Sequence, residues 1–520
     1  MEAKAGFWEA AKGFIGRYKM SLILSYGIVL AAFFVMLFND SLQIDEETWV
    51  MGNGHIGLWL MQGRFGLYFF DKIFCPTGSF IPGLWDFAAV TLWTLAGAVF
   101  VFCISLILKK DMPSFSVFAF CTIFSTVRLS VGDLLSFSMF NLQQALAMLL
   151  MSMASLCSVL FFVGGKKRWM MPAAGLIFCA VGFFQAFAVV YITFIAIYLW
   201  LLVNGTQARP FKTIALQMIY AVFAFTAGLL LYFGINSYIT TYVAPGGGKY
   251  LSDSYIGWHD GFSFAMDRTM GNIGDILLGK NDTGGVSMLI PTVLLVLFIL
   301  LSALRAKGVK NKLLAVLSGC FVGISPFILS LFTAMPNIVG RTLLALPLAQ
   351  GAVMLFSIQT LKNKRLRGAA CALAAVVVLH NVFLMNGFFY SGLMAYKQDV
   401  NLGNLIMSTV TQELGSFHDK HMVFIGKYSA PPIPFRQEPV AASFFEYDEG
   451  NIQRMNDFLI AEGYAIKQST AQQRQRAYEA AEDMACWPEE GSIAALGDII
   501  IVKFSEVPQD SIWFRVNLVQ

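Results

Sequence analysis

Apolar runs separated by short basic connectors make up residues 1–390 of the chain. A helix needs about 20 apolar residues to cross a hydrocarbon core of ~30 Å, and most of the runs approach that length. Over the whole chain 57% of the residues are hydrophobic and 13% are charged, which is more apolar surface than a soluble domain buries. The chain is therefore predicted to be a polytopic α-helical membrane protein surrounded by membrane lipid. No nucleic-acid partner is expected, because the Lys and Arg residues fall in short clusters between apolar runs, as membrane topology demands.

The basic connectors predict the direction of each crossing. Because Lys and Arg are concentrated in cytoplasmic loops, they indicate a cytoplasmic amino terminus, about eleven crossings and an external carboxyl terminus. The acid-rich loops then lie outside, and function is expected there. The predicted spans are residues 21–38, 85–108, 115–127, 139–163, two passes within 169–203 that turn at 182–185, 213–235, 287–304, 313–334, 342–358 and 369–390.

The composition changes after Ser391: charge rises and the apolar runs shorten to strand length. Strands are predicted at residues 422–428, 465–470, 499–504 and 512–518, and helices at 451–462 and 471–485. This pattern predicts a small extracytoplasmic α/β domain of roughly 130 residues, so the expected division is 1–391 and 392–520. Its mixed charges indicate no active site of its own, which favours a lid or an acceptor-docking module.

Four acids follow the first apolar run at once: Asp40, Asp45, Glu46 and Glu47. We call residues 40–47 the acidic segment. Packing does not require carboxylates at the mouth of a membrane helix, and desolvation there raises a carboxyl pKa and makes the group a better base at neutral pH. The segment therefore indicates chemistry, with ordinary solvated loop charges as the alternative.

The stretch that follows, residues 54–74, is mostly aromatic and aliphatic. It is too polar to span and too apolar to stand in water, so it is predicted to be one helix lying in the headgroup plane. That placement puts Arg64 at phosphate depth. A packing role, or an ion pair with Asp71, is the alternative for Arg64.

Arg341 is a lone cation at the outer start of an apolar span. A planar guanidinium can bridge two phosphate oxygens, which makes Arg341 the first candidate for phosphate binding and Arg64 the second. The alternative for Arg341 is a residue that extends its charge to the interface. Arg128 and Asp133 are candidates for a further ligand contact, with a local ion pair as their alternative.

The largest external loop has a glycine run followed by aromatic and polar residues. Rings stack on sugar faces and polar groups bind hydroxyls, although ordinary interfacial loops have the same mixture. The glycines would allow the loop to close on a ligand. The candidates for sugar or acceptor binding in this loop are Lys249, Tyr250, Asp253, Tyr255, Trp258 and His259.

Together these features resemble the GT-C class of glycosyltransferases, and more closely the serotype-converting glucosyltransferase (type II) family of bacterial O-antigen modification. The motifs that carry the resemblance are Asp45-Glu46 after the first span and Gly63-Arg64. Residues 484–504, MACWPEEGSIAALGDIIIVKF, are similar to the outer tail of that family. The acidic pair here is Asp-Glu, where the family more usually has two aspartates.

The resemblance implies transfer of a hexose, glucose in the first instance, from a polyprenyl-phosphate donor to a surface polysaccharide or its lipid-linked precursor. The reaction would take place on the outer face of the bacterial cytoplasmic (inner) membrane, by direct displacement. It needs a base for the acceptor hydroxyl and cations for the departing phosphate. Asp45 is the first candidate for the base and Glu46 the second, Glu47 would orient the sugar, and Arg341 and Arg64 would bind phosphate.

No cofactor is obligatory in this scheme beyond the lipid-linked sugar that is the donor. A divalent cation among Asp45, Glu46 and Glu47 is not favoured, because consecutive residues rarely converge on one ion. The alternative function is a transporter or flippase for a lipid-linked sugar. A carrier is expected to have charged sites near the bilayer midplane and an internal repeat, and the predicted spans are nearly free of Asp, Glu, Lys and Arg.

Overall fold

The computed structural model describes residues 2–51, 56–75, 81–204, 211–245, 256–281, 283–434 and 442–518. The chain divides into two compact units. The helical unit consists of Met1–Leu37, His55–Phe74 and Ile81–Asn386, and the C-terminal unit consists of Phe38–Gly54, Cys75–Phe80 and Gly387–Gln520. The acidic segment therefore belongs to the C-terminal unit.

The described part of the chain is mainly helical up to residue 414. In chain order its α-helices are α1 Glu2–Ala32, α2 Phe34–Phe38, α3 Glu46–Val50, α4 Ile56–Met61, α5 Phe65–Phe74, α6 Pro82–Leu108, α7 Ser114–Thr126, α8 Asp133–Leu135, α9 Asn141–Gly164, α10 Met170–Phe183, α11 Phe187–Asn204, α12 Phe211–Tyr238, α13 Phe262–Leu278, α14 Val286–Arg305, α15 Val309–Ile324, α16 Ile328–Thr333, α17 Leu346–Thr360 and α18 Lys364–Leu414.

Among the described residues, 8 helices are long and apolar enough to cross a membrane, or up to 9 if Ser114–Thr126 and Arg128–Leu135, bent by 41°, form one span. This agrees with a polytopic membrane protein, but the predicted count of about eleven crossings is not confirmed. The run at 169–203 does form two helices with a break before Phe187, as predicted. However, α10 has 14 residues and α17 has 15. At 1.5 Å per residue they reach about 21 and 23 Å, less than the ~30 Å core.

Helix α18 continues far past the predicted end of its span at residue 390 and has 51 residues. Its last turns bury Leu402, Ile406 and Val410 in the core of the C-terminal unit. These residues recur every four positions, which is the period of a helix with one apolar face. The expected domain boundary at 391/392 stays a prediction, and it falls within this helix. Gly415, at φ 84°, follows the last helical residue, as is common at helix ends.

The C-terminal unit has a three-stranded sheet in the order β1-β3-β2, formed by β1 His421–Ile425, β2 Ile493–Leu496 and β3 Ile499–Lys503. β3 pairs in parallel with β1, from His421↔Ile499 to Ile425↔Lys503, and antiparallel with β2. Its helices are α19 Ile452–Ala461, α20 Ala471–Ala480 and α21 Ile512–Leu518.

The predictions for this unit are confirmed in part. The strands at 422–428 and 499–504 and both helices are present, with the second helix ending at Ala480. Residues 465–470 contribute only a single bridge, His421↔Lys467. Residues 512–518 form a helix, so the strand predicted there was wrong. The reason is that Trp513 and Asn517, four residues apart, are the buried positions, and Asn517 Oδ1 accepts from the backbone N–H of Ile452.

Candidate active site

Asp45 stands at a backbone position that non-glycine residues rarely adopt. Its φ is 84° and its ψ is −20°, in the left-handed region, directly before α3. This conformation costs an L-residue about 1–2 kcal/mol, and Asp adopts it more often than most other non-glycine residues do. The Thr48 hydroxyl donates to the Asp45 carbonyl at 2.8 Å, and the Gln43 N–H donates to Glu46 Oε2 at 2.8 Å. These two hydrogen bonds close a turn over residues 43–48.

The three consecutive acids differ in exposure. The Asp45 side chain is 49% exposed, whereas Glu46 and Glu47 are buried. One Glu46 oxygen is already used by the Gln43 N–H. Of the two candidates for the base, Asp45 is thus the one with a solvent-exposed side chain.

Arg454 on α19 joins Asp45 to Glu47. Its Nη2 donates to Asp45 Oδ1 at 2.7 Å and its Nη1 donates to Glu47 Oε1 at 2.7 Å. Its Nε donates to Asp448 Oδ2 at 3.0 Å, and the guanidinium carbon lies 5.1 Å from the centre of the Tyr447 ring. We call Asp45, Glu47, Asp448 and Arg454 the carboxylate clamp.

Two members of the clamp have shifted pKa values. Burial raises the pKa of Glu47 to about 7, although Arg454 opposes the shift. Burial lowers the pKa of Arg454, but the carboxylates of Asp45 and Glu47 outweigh it, so that its pKa is raised overall. Within the described residues, Glu47 Oε2 is buried without a hydrogen-bond partner. Glu47 can therefore change its charge near neutral pH.

Arg454 is not among the site residues predicted from the sequence. Its contacts to Glu47 and Asp45 join residues that are 407 and 409 positions apart, and nothing in the local sequence of α19 distinguishes this Arg from other surface cations.

Arg64 lies at a turn, because the predicted single helix over 54–74 is two helices, α4 and α5. Gly63, at φ 70°, makes the turn, and its carbonyl accepts from the Tyr232 hydroxyl at 3.0 Å. The Arg64 guanidinium carbon lies 4.9 Å from the centre of the Phe184 ring and 5.9 Å from that of Trp59. An interfacial position for this pair of helices stays a prediction.

Asp71, which the sequence offers as a partner for Arg64, has two other partners. It accepts from Trp59 Nε1 at 3.0 Å and from Gln143 Nε2 at 2.9 Å. Burial raises the pKa of Asp71 to about 6, although both hydrogen bonds lower it. Asp71 thus ties α5 to α9 close to the Trp59 ring that Arg64 approaches.

Arg341, Arg128 and Asp133 form one cluster. The backbone N–H of Arg341 donates to Asp133 Oδ2 at 2.7 Å, and the Asp133 carboxylate interacts electrostatically with both arginines. The Arg341 guanidinium carbon lies 5.4 Å from the centre of the Phe137 ring. Two arginines that the sequence presents separately are therefore held around a single carboxylate.

Trp258 and His259 belong to a 3-10 helix, Trp258–Asp260. Trp258 Nε1 donates to the carbonyl of Phe332 at 2.8 Å, and its ring is stacked on Phe262 at 5.4 Å. The indole is thus already engaged in holding the loop. The other four candidates of this loop, Lys249, Tyr250, Asp253 and Tyr255, lie outside the described residues.

Residues 34–358 match the family model described as Glucosyl transferase GtrII. The match spans more than half of the chain. The chain belongs to the glucosyl transferase GtrII family. The resemblance found in the sequence is therefore confirmed at the level of the family. Neither a curated protein nor a solved structure matches the chain.

Membership in the GtrII family makes the chain a glycosyltransferase. The stretch that matches includes Asp45, Glu47, Arg64 and Arg341, whereas Arg454 lies beyond its end at residue 358. In the part of the chain that the structure describes, no group of three or more His, Cys, Asp or Glu is arranged to hold a metal ion.

Proposed function

We propose that this GtrII-family member is a GT-C class glycosyltransferase of the bacterial cytoplasmic membrane. It transfers a hexose, most simply glucose, from a polyprenyl-phosphate donor to a surface polysaccharide or its lipid-linked precursor on the outer face. The observation that carries the proposal is the family match: it begins at Phe34, immediately before the acidic segment, and takes in Arg64 and Arg341.

In the proposed reaction Asp45 removes the proton of an acceptor hydroxyl. The hydroxyl oxygen forms a bond to the anomeric carbon of the donor sugar, while the bond from that carbon to the phosphate oxygen breaks. The electron pair leaves with polyprenyl phosphate, so one displacement inverts the anomeric configuration. Asp45 is preferred over Glu46 because its side chain is exposed, whereas Glu46 is buried and bonded to Gln43.

Arg341 and Arg64 are proposed to bind the departing phosphate. A cation is attracted to the face of an aromatic ring, and a planar guanidinium matches two phosphate oxygens. Both arginines have such an aromatic neighbour, Phe137 for Arg341 and Phe184 for Arg64. Cations that bind the phosphate would stabilise the charge that develops on it as it leaves. Arg128 is proposed to reinforce Arg341.

The test is turnover by purified protein in lipid nanodiscs. Polyprenyl-phosphate glucose, galactose and other hexoses are offered one at a time, and release of polyprenyl phosphate is followed. We expect one donor to be consumed, and Asp45→Asn to reduce the rate roughly 100-fold or more, as for loss of a general base. Glu46→Gln should have a smaller effect. Glu413→Gln, at an exposed position of α18, is the matched control for removal of one acidic charge.

A folded protein that consumes none of the donors would contradict the proposal. So would movement of an intact lipid-linked sugar across a liposome membrane without release of polyprenyl phosphate, which is the behaviour of a carrier. Full activity of Asp45→Asn with loss of activity in Glu46→Gln would transfer the role of the base to Glu46.

A further inference from the structure

We infer that Arg454 is a positioning residue for the transfer reaction: it holds the Asp45 carboxylate so that one oxygen is bound and the other faces the acceptor. The inference rests on the proposed function of Asp45. It assigns to the C-terminal unit a residue that lies beyond the stretch shared with the family model, which ends at residue 358.

The clamp fixes the guanidinium of Arg454 through all three of its nitrogens. Each of the three guanidinium nitrogens donates to a different carboxylate, at 2.7, 2.7 and 3.0 Å. Charge-assisted hydrogen bonds of this length are strong and directional. Asp448 and the Tyr447 ring also contact the guanidinium. Its position therefore does not depend on Asp45 alone.

Arg454 is carried by a capped and packed helix, α19. The residue lies in the first turn of α19, where the Asn451 side chain accepts from the N–H groups of Gln453 and Arg454 at 3.0 and 3.3 Å. One turn further on, Phe458 and Leu459 are completely buried in the core of the C-terminal unit. A reactive group supported by a packed helix keeps its geometry better than one supported by a loop.

The clamp binds one oxygen of the Asp45 carboxylate. Arg454 takes Oδ1 of Asp45, and within the described residues Oδ2 has no hydrogen-bond partner, while the side chain is 49% exposed. One bound and one accessible oxygen is the arrangement that a base needs to accept a proton from a defined direction.

The clamp has more negative than positive groups. One guanidinium faces three carboxylates, whereas a simple ion pair needs only one. Two of these carboxylates are exposed, Asp45 by 49% and Asp448 by 40%, and exposed ion pairs add little to stability. The clamp is therefore better suited to holding the strained Asp45 turn than to stabilising the fold.

The test compares Arg454→Gln and Arg454→Lys with Lys427→Gln. The control removes a different ion pair of the same unit, Lys427 to Glu449 at 2.7 Å. Turnover of the donor in nanodiscs gives kcat and KM, and hydrogen–deuterium exchange reports on the backbone of residues 43–51, where the Glu46 and Met51 N–H groups are bonded.

We expect Arg454→Gln to lower kcat on the order of 100-fold, the cost of misplacing a reacting group by about 1 Å, with the donor KM within about twofold. Arg454→Lys should recover part of the loss, because a lysine can still bind one carboxylate. Exchange at residues 43–51 should accelerate in Arg454→Gln and stay at the wild-type rate in Lys427→Gln.

Unchanged exchange at residues 43–51 in Arg454→Gln would overturn the inference, and so would accelerated exchange there with wild-type kcat. If Arg454→Gln unfolds, Arg454→Lys decides by the same two measurements. If the wild-type protein consumes no donor, the proposed function fails, and the exchange rates still show whether Arg454 holds the acidic segment.

Discussion

Within the acidic segment, the fold opposes the charge of Glu47. Its side chain is fully buried, and burial raises its pKa from 4.5 to about 7. A raised pKa means that the folded protein binds this proton more tightly than the unfolded chain does. The stability that the folded protein gains from the protonated Glu47 is therefore fully present below pH 4.5 and is lost as the pH rises through about 7.

We predict that Glu47→Gln and the wild type have similar melting temperatures near pH 4, because a protonated Glu and a Gln are nearly isosteric. As the pH rises to 7, the melting temperature of the wild type should drop several degrees below that of Glu47→Gln, since each unit of pKa difference is worth about 1.4 kcal/mol. Thermal unfolding in detergent between pH 4 and 8 measures the difference, with Glu413→Gln as the charge control. A gap that is constant across this range would show that Glu47 does not titrate there.

At the scale of the element, the turn between α4 and α5 sets the position of Arg64. Gly63 has φ 70°, and a Cβ added to it would lie 2.6 Å from the Tyr232 hydroxyl, 2.8 Å from Asn236 Oδ1 and 3.0 Å from Gln185 Nε2. Only glycine fits here, because both the conformation and the space exclude a side chain. The sequence predicted one helix through this point, because a Gly within a periodic apolar pattern does not by itself end a helix.

We predict that Gly63→Ala disrupts the turn, displaces Arg64 and raises the donor KM on the order of 10-fold, with a lower melting temperature, since the left-handed conformation alone costs about 1–2 kcal/mol. Gly57→Ala in α4 is the matched control, because a Cβ there meets nothing within 4 Å and Ala favours a helix by about 1 kcal/mol. Donor titration of both variants provides the measurement. A Gly63→Ala protein with the wild-type donor KM would separate Arg64 from phosphate binding.

At the scale of the whole molecule, local sequence patterns predicted the helices but not the contacts between residues that are far apart in the chain. Apolar runs placed the helices, and the acids after the first run marked the segment that forms the clamp. The count of crossings was not predictable, because helices such as α10 and α17 are apolar enough but too short. Arg454 was missed because its partners are 407 and 409 residues away, and the cluster of Arg128, Asp133 and Arg341 joins residues 208 apart.

The composition change at residue 391 also failed to show that the end of α18 belongs to the core of the C-terminal unit. Leu402, Ile406, Met407 and Val410 pack in the same cluster as Phe424 and Phe458. Burial of an aliphatic side chain is worth about 1.5–3 kcal/mol, so these four contribute roughly 6–12 kcal/mol, as much as the total stability of an ordinary domain.

We therefore predict that a fragment of residues 397–520 unfolds cooperatively on heating, whereas residues 415–520, which lack these four side chains, show no cooperative transition by circular dichroism. Within the longer fragment, Ile406→Ala should cost about 2–5 kcal/mol, because Ile406 is 0% exposed. Leu405→Ala, next to it on α18 and 56% exposed, should change the free energy of unfolding by much less. Cooperative unfolding of residues 415–520 would mean that the sheet and its helices form a complete core without α18.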